Sequence, residues 1–144
     1  MMNCVSVLSV LLVVSYLSNV EGCSCSRETN EEKFCRARFV LKGKILDKTN
    51  AGLKIKYQVK VLNSFKFRQG QNVIIETPKD SAACGVQLMK GDIYILSGSI
   101  TGDGRYETNL CWWYQSWQDI PNNTQSKLMR GTFGNCKSNF SPIK

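Results

Sequence analysis

The sequence contains no histidine and only 11 acidic residues against 19 basic ones. Without histidine, every catalytic mechanism that uses an imidazole as base or metal ligand is excluded. No CxxC spacing is present, which argues against a structural zinc site. There is also no glycine-rich loop of the kind that cradles phosphates, and no internal repeat. We therefore do not expect an enzyme.

The longest apolar run, Val5 to Leu17, lies near the start of the chain. Its length of about 13 residues is too short for a membrane span but suits a signal peptide. Val20 and Gly22 provide small residues for cleavage before Cys23, so residues 1–22 are predicted to be a signal peptide of a secreted, extracellular protein. A lipid-anchored cysteine is the alternative, and the acidic Glu21 and the lack of a basic start argue against it. We expect no membrane span.

Removing residues 1–22 takes away Cys4 and leaves an even number of cysteines in a chain of 122 residues (144 − 22). The formal charge becomes +9 (19 − 10), since one acid and no base are lost. An even cysteine count in an exported chain favours a disulfide framework, and six cysteines allow 15 pairings. The six are Cys23, Cys25, Cys35, Cys84, Cys111 and Cys136.

Strands dominate the hydrophobic pattern. In "GLKIKYQVKVL" the apolar residues alternate with lysine and glutamine. This alternation places the apolar residues on one face and the lysines on the other. The apolar set is Leu53, Ile55, Tyr57, Val59 and Val61. Four more runs are strand-like: "RFVLKGKIL", "NVIIET", "DIYILSGSI" and "RYETNL". Turn residues separate them in "DKTNAG", "KFRQGQ" and "SITGDGRY". Five strands in a small chain predict a mainly β fold, either a sandwich or a partly open Greek-key barrel.

Two short helices are expected beside the strands. Thr29 and Glu32 have capping-box spacing before "KFCRA". "NTQSKLMRG" has a cap at Asn123 or Thr124 and ends at Gly131.

The pair Cys23 and Cys25 is too close in sequence for the two residues to bridge each other, so each should pair with a distant cysteine. In an extended segment both side chains point to one side and Ser24 points to the other. Two bridges would therefore hold the opening residues rigidly, although chain termini usually fray.

A rigid α-amine has a chemical use. Its unperturbed pKa of about 7.7–8.0 makes its neutral form far more accessible than that of lysine. The amine and the carbonyl oxygen of Cys23 would form a five-membered chelate ring on a metal ion. Catalytic zinc sites keep one position open for water, which such a chelate would displace. The simpler alternative is that Cys-Ser-Cys only fixes the chain end.

These residues resemble the N-terminal, netrin-like domain of the tissue inhibitors of metalloproteinases. The resemblance rests on "CSC" at the predicted mature start, on Cys35, on "TPKDSAACG", on "YILSGSITGDGRYETNLC" with Trp117 beyond it, and on "RGTFGNC". It implies a domain over residues 23–136, a tail over 137–144, and a five-stranded OB-type barrel with short flanking helices. It also implies three disulfides: Cys23–Cys84, Cys25–Cys111 and Cys35–Cys136.

The resemblance also implies a function, which is inhibition of extracellular zinc metalloproteinases by a monomer with no cofactor of its own. Cys23 would bind the zinc of the protease, and Ser24 would enter the pocket for the residue after the scissile bond. The expected contact surface is Cys23, Ser24, Cys25, Ser26, Ser81, Ala82, Ala83 and Cys84. The alternative is a secreted netrin-like module that binds a receptor, matrix component or signalling protein without inhibiting a protease.

Two surfaces allow other interactions. "CWWYQSW" concentrates Trp112, Trp113, Tyr114 and Trp117, which either cover the barrel or form an exposed patch. Lys54, Lys56 and Lys60 form a basic strand face that would attract sulfated glycosaminoglycans, with a solvated face as the alternative. OB folds also bind single-stranded nucleic acid, but a secreted domain is not expected to meet it.

Two glycosylation sequons are present. Asn122 begins the N-N-T sequon and is predicted to lie on the surface as a glycosylation site. Asn139 begins a second one, which Pro142 makes less suitable.

Overall fold

The computed structural model describes residues 22–136. The two helices are α1 (Asn30–Arg36) and α2 (Asn122–Met129), and single 3₁₀ turns occur at Ser81–Ala83 and Trp117–Asp119. The strands are β1 (Phe39–Ala51), β2 (Lys54–Lys66), β3 (Asn72–Pro78), β4 (Ile93–Ile100), β5 (Tyr106–Glu107) and β6 (Tyr114–Ser116). The predicted leader up to Glu21, the predicted tail over 137–144 and the Asn139 sequon lie outside the described residues.

Five strands close into a ring. The sheet order is β1-β2-β3-β5-β4-β6, and β1 also pairs with β4. All pairs are antiparallel except β3 with β5. The prediction of a mainly β, OB-type barrel with short helices is therefore confirmed. The sixth strand, β6, was not predicted, because its three residues lie within the aromatic run and show no alternation.

The period-two pattern of β2 is confirmed at most positions. Ile55, Tyr57 and Val59 are buried inside the ring, while the intervening lysines point outward. Leu53 was wrongly placed on this face, since it is 86 % exposed. It lies in the tight turn between β1 and β2 beside Gly52, whose φ of 62° is in the left-handed region. The turn is thus shorter than "DKTNAG" suggested.

Two apolar clusters stabilise the fold. The inner cluster fills the ring and includes Phe39, Leu41, Tyr57 and Ile75. The outer cluster lies between the other face of β1 and β4 and the two helices, and its members are Phe34, Ala37, Val40, Ile95, Trp113, Ile120, Leu128 and Phe133. Successive β1 residues alternate between the clusters, so both sides of this strand are covered near its start.

The helix ends follow the expected capping rules except at the start of α2. At α1 the Thr29 hydroxyl accepts from the Glu32 N–H at 3.2 Å, and the Glu32 carboxylate accepts from the Thr29 N–H at 2.7 Å, which confirms the capping box. At α2 the N-cap is Pro121, not Asn123 or Thr124. The Pro121 carbonyl accepts from the N–H groups of Thr124 at 2.9 Å and Gln125 at 3.0 Å, so the helix begins directly after this residue. The helix ends before Gly131 (φ 69°), as predicted.

Candidate functional site

Two exposed segments lie side by side at the surface, and we call them together the ridge: residues 23–26 and 81–84. The bridges Cys23–Cys84 and Cys25–Cys111 hold the first segment, with Cα–Cα distances of 4.9 Å and 5.2 Å. Ser24 and Ser26 are exposed, as are the residues from Ser81 to Ala83. The structure thus brings the two predicted halves of the contact surface together.

Backbone hydrogen bonds shape the second half of the ridge. The Ser81–Ala83 turn is closed by the Cys84 N–H on the Ser81 carbonyl at 3.0 Å, and by the Gly85 N–H on the Asp80 carbonyl at 2.9 Å. Cys84 adopts a left-handed conformation with φ of 65°, which is unusual for a residue other than glycine. The Cys23–Cys84 disulfide is therefore attached to the second segment at a sharp turn of the backbone.

Gly85 allows the ridge to approach the barrel. A Cβ atom at this position would lie 2.0 Å from the carbonyl oxygen of Pro78, at the end of β3. Since real Cβ atoms do not come so close to backbone, no other residue fits without moving the ridge. The glycine belongs to the quoted "AACG" motif, but its steric role was not foreseen.

The segment after the ridge is fixed to the barrel by buried hydroxyl groups. The Val86 N–H donates to the Thr77 hydroxyl at 3.1 Å. The Tyr57 hydroxyl donates to the Val86 carbonyl at 3.3 Å and accepts from the Leu88 N–H at 3.1 Å. Tyr57 is completely buried. These bonds connect the ridge to the inside of the ring.

Arg36, the last residue of α1, bonds two residues next to the first half of the ridge: Glu28, and Cys111, which is disulfide-bonded to Cys25. Its guanidinium donates to the Glu28 carboxylate at 2.7 Å and to the Cys111 carbonyl at 3.0 Å. It also lies over the Trp112 ring, 3.9 Å from the centroid. Sequence reasoning missed this residue, because nothing in the local pattern distinguishes it from any other basic residue near a helix C-terminus.

Four sulfur atoms lie close together, three from ridge residues and one from Cys111. Those of Cys23, Cys25, Cys84 and Cys111 all lie within 4.8 Å of one another. A cluster of this size resembles a metal site in its spacing, but metals bind thiolates, and here all four sulfurs are in disulfide bonds. Their arrangement therefore stabilises the ridge.

The third bridge, Cys35–Cys136, is separate from the ridge and joins α1 to the segment after α2. Beside it, the Phe34 and Phe133 rings pack edge to face, with centroids 5.3 Å apart. The structure thus contains the three cysteine pairs that the resemblance implied.

The basic face of β2 is only partly available. Lys54 and Lys56 contact the Glu76 carboxylate at 3.2 Å and 3.1 Å, and Lys54 also contacts Glu107 at 2.6 Å. Burial raises the pKa of Glu76, but hydrogen bonds from Lys56 and Lys54 outweigh it, so this pKa lies below its usual value. Of the three predicted lysines, only Lys60 lies beyond 4.0 Å from every carboxylate of residues 22–136.

The aromatic run mainly covers the outer cluster. Trp113 is buried, while Trp112 and Trp117 are half-buried and pack against that cluster.

Asn122, the residue of the first glycosylation sequon, is exposed at the first residue of α2. Neither helix in the described part of the chain is long and apolar enough to cross a membrane.

Comparison with known proteins identifies the family. The family model described as tissue inhibitor of metalloproteinase matches residues 21–142. The chain is 30 % identical to human metalloproteinase inhibitor 2 over 134 residues, covering 85 % of this chain and 60 % of the relative. It is 29 % identical to mouse metalloproteinase inhibitor 4 over 129 residues, covering 81 % of this chain and 58 % of the relative.

This chain thus spans about three-fifths of the length of those relatives. Their names describe inhibitors of enzymes, which agrees with the expectation that the chain is not an enzyme. With the family model matching most of the sequence, the chain belongs to the tissue inhibitor of metalloproteinase family.

Proposed function

We propose that this chain is a secreted inhibitor of zinc metalloproteinases, and that the ridge is the surface that enters their active site. The observation that carries the proposal is the double fixation of the opening segment. Bridges at Cys23 and Cys25 hold alternate residues, so Ser24 between them is left exposed. The relatives named as metalloproteinase inhibitors support the same function.

The proposed mechanism requires cleavage of the leader before Cys23. The new α-amine and the carbonyl oxygen of Cys23 would then bind the zinc ion of the protease together. An α-amine has an unperturbed pKa of about 7.7–8.0, so giving up its proton near neutral pH costs little compared with a lysine. The chelate would replace the water that a catalytic zinc activates, and hydrolysis would stop.

Neighbouring residues would supply the remaining contacts. Ser24 would enter the pocket that receives the residue after the scissile bond. Residues 81–84 would lie along the other side of the cleft. Because disulfides, Gly85 and Arg36 already fix both segments, little conformational entropy would be lost on binding, which favours high affinity. In this proposal the zinc belongs to the protease, and the chain needs no cofactor of its own.

The test is a titration of the folded chain beginning at Cys23 against a panel of extracellular zinc metalloproteinases. We expect inhibition constants of about nanomolar order or lower for at least one member, since protease–inhibitor pairs are among the tightest protein complexes. One alanine added before Cys23 should abolish inhibition, because it converts the amine into an amide. One alanine added after Lys144 is the matched control and should change nothing.

Inhibition that survives the N-terminal alanine would contradict the mechanism. Absence of inhibition across the panel would contradict the proposed function itself. Binding to a receptor or matrix component that is equal for the extended and native chains would then favour the non-inhibitory binding module.

A further inference from the structure

Phe67, the first residue of the turn between β2 and β3, combines an unusual backbone conformation with an unusual exposure. Its φ of 63° lies in the left-handed region, where a bulky side chain is strained. Its ring is 57 % exposed, and it is the only mostly exposed aromatic side chain among residues 22–136. Strained residues concentrate at binding sites and persist only where the surrounding structure imposes their conformation. Phe67 is therefore a candidate contact residue.

Neighbouring contacts hold the turn in this conformation. The residue before it, Lys66, pairs with Val40 on β1. The Lys66 ammonium donates to the carbonyls of Phe34 and Cys35 at 3.1 Å and 2.6 Å. The Gln69 side chain donates to the Lys66 carbonyl at 3.3 Å. The exposed ring thus starts from a fixed backbone, so little conformational entropy would be lost when a partner contacts it.

The ring borders a cleft of about 630 Å³, which is within the range of ligand pockets. The cleft lies between the end of α1, the end of β2 and the turn that follows β4. Phe67 and Ile100 contribute apolar surface to it, and Thr101 contributes a hydroxyl group. An apolar side chain of another molecule would find two apolar partners in this cleft.

One cation of the cleft has no carboxylate partner. Arg38 is exposed, and no carboxylate of residues 22–136 lies within 4.0 Å of its guanidinium. Arg36 also lines the cleft, but its charge is paired with Glu28 at 2.7 Å. Asp103, in the turn after β4, is engaged by Arg105 at 2.8 Å. Arg38 is therefore the cation of the cleft that is available to an anion.

Two neighbouring charges add to the positive potential around Arg38. Burial, and secondarily the charge of Arg38, lower the pKa of Lys66. A carboxylate near both groups would relieve the repulsion between them. Arg68, which follows Phe67, is exposed and also lies beyond 4.0 Å from every carboxylate in the described part of the chain.

These features favour an acidic peptide over a polyanion. A sulfated polysaccharide requires a row of free cations, whereas Lys66 is bonded to two backbone carbonyls and Arg36 to Glu28. A guanidinium binds a carboxylate through two parallel hydrogen bonds. Aromatic residues beside pockets are typical anchors of protein interfaces. One carboxylate next to one apolar side chain would match Arg38 and Phe67 together.

We propose that the cleft beside Phe67 binds an acidic segment of a partner protein, which places an apolar side chain against Phe67 and Ile100 and a carboxylate on Arg38. The cleft shares no residue with the ridge. The site is therefore separate from the proposed inhibitory surface and does not depend on the proposed function.

The experiment titrates the folded chain beginning at Cys23 with a synthetic peptide that has blocked ends and one phenylalanine between pairs of glutamates. Backbone amide shifts in NMR spectra report both the affinity and the place of binding. We expect a dissociation constant on the order of 100 μM, since a short peptide offers few contacts. The largest shifts should occur at residues 66–68 and 100–102.

Two substitutions test the two contacts. Phe67→Gly removes the ring and suits the positive φ, so this variant stays folded and should bind about tenfold more weakly. Arg38→Gln removes the charge and should weaken binding about fivefold. The matched controls are Met89→Ala and Lys79→Gln, which change an exposed apolar residue and an exposed cation outside the cleft. They should alter the affinity less than about twofold.

Changes in the peptide complete the test, and circular dichroism confirms that each variant is folded. Replacing the glutamates by glutamine, or the phenylalanine by alanine, should weaken binding about tenfold. Equal affinity of the glutamine peptide, native affinity of Phe67→Gly, or no shift at the cleft at millimolar peptide would each overturn the proposal. Tighter, Phe67-dependent binding to phosphatidylserine vesicles would also overturn it, in favour of a lipid surface. The chain with alanine before Cys23 should bind the peptide normally, which separates this proposal from the inhibitory mechanism.

Discussion

The barrel and the ridge are stabilised in different ways. Within the barrel, buried side chains such as Leu41 and Ile75 and continuous strand pairing provide stability. Along the ridge nearly every side chain is exposed, and order comes from two disulfides, a tight turn and one arginine. A surface that must be both accessible and rigid cannot rely on hydrophobic burial, so covalent and polar contacts take its place.

The largest effect is expected from removing the bridge that fixes the ridge without touching Cys23. The variant Cys25→Ser with Cys111→Ser opens a loop of 86 residues. It should lose about 4.6 kcal/mol of unfolding free energy by the entropic estimate. Inhibition should weaken about a hundredfold, because the opening segment must be ordered on binding. Chemical denaturation measures the loss of unfolding free energy, and inhibition assays at temperatures below the Tm of the variant measure the loss of inhibition. Unchanged inhibition would contradict the role of rigidity.

A core substitution should separate stability from inhibition. Ile75→Ala removes a fully buried side chain from the inner cluster. We expect a loss of about 3 kcal/mol in unfolding free energy. Inhibition by the folded protein should change less than about twofold, because neither the two disulfides nor the hydrogen bonds that hold the ridge involve this side chain. If inhibition weakened as much as it does in the disulfide variant, the barrel and the ridge would not be independent.

Gly85→Ala tests the contact between the regions. The new methyl group would meet the Pro78 carbonyl, so the ridge must shift. We expect a loss of about 2 kcal/mol in stability and about tenfold weaker inhibition. Gly102→Ala is the matched control, since a Cβ there has no atom within 4 Å. If both variants inhibited like the native chain, Gly85 would have no positioning role.

Arg36→Lys keeps the charge but removes the planar guanidinium that bonds Glu28 and the Cys111 carbonyl. We expect about fivefold weaker inhibition through faster dissociation, with stability lowered by about 1 kcal/mol. Lys33→Gln in the same helix serves as the comparison. Stopped-flow measurements give the rate at which each variant dissociates from the protease. Equal rates for the two variants would show that Arg36 does not hold the ridge in place.

The smallest effect concerns pH. Burial raises the pKa of Glu76, yet the hydrogen bonds from Lys56 and Lys54 leave this pKa below its unfolded value of about 4.3. The ionised form thus stabilises the fold at neutral pH, and this contribution disappears as the pH falls through the folded-state pKa. Glu76→Gln should therefore lower Tm by about 3 °C at pH 7, and by less at pH 3. A constant difference in Tm across that range would contradict this account.

Sequence reasoning succeeded where side-chain periodicity or local capping decides the structure. The alternation in β2 and the Thr29–Glu32 capping box are local patterns, and both were confirmed. It failed at Leu53, since alternation does not reveal where a strand turns. The short strand β6 was missed because pairing with β4, rather than its own pattern, makes it a strand.

Features of the site that depend on distant parts of the chain were also beyond prediction. The role of Arg36 requires Cys111, 75 residues away, and the neutralisation of Lys54 and Lys56 requires Glu76 on the next strand. Gly85 matters only because β3 ends beside it. The cysteine pairing could be anticipated through family resemblance, whereas the count of six cysteines alone allows 15 pairings.

The most direct measurement is a crystal structure of the chain beginning at Cys23 in complex with an extracellular zinc metalloproteinase. The account predicts that the amine nitrogen and the carbonyl oxygen of Cys23 both coordinate the catalytic zinc at about 2.0–2.2 Å, with no water left in that position. A complex in which the zinc keeps its water, while the ridge lies elsewhere, would contradict it.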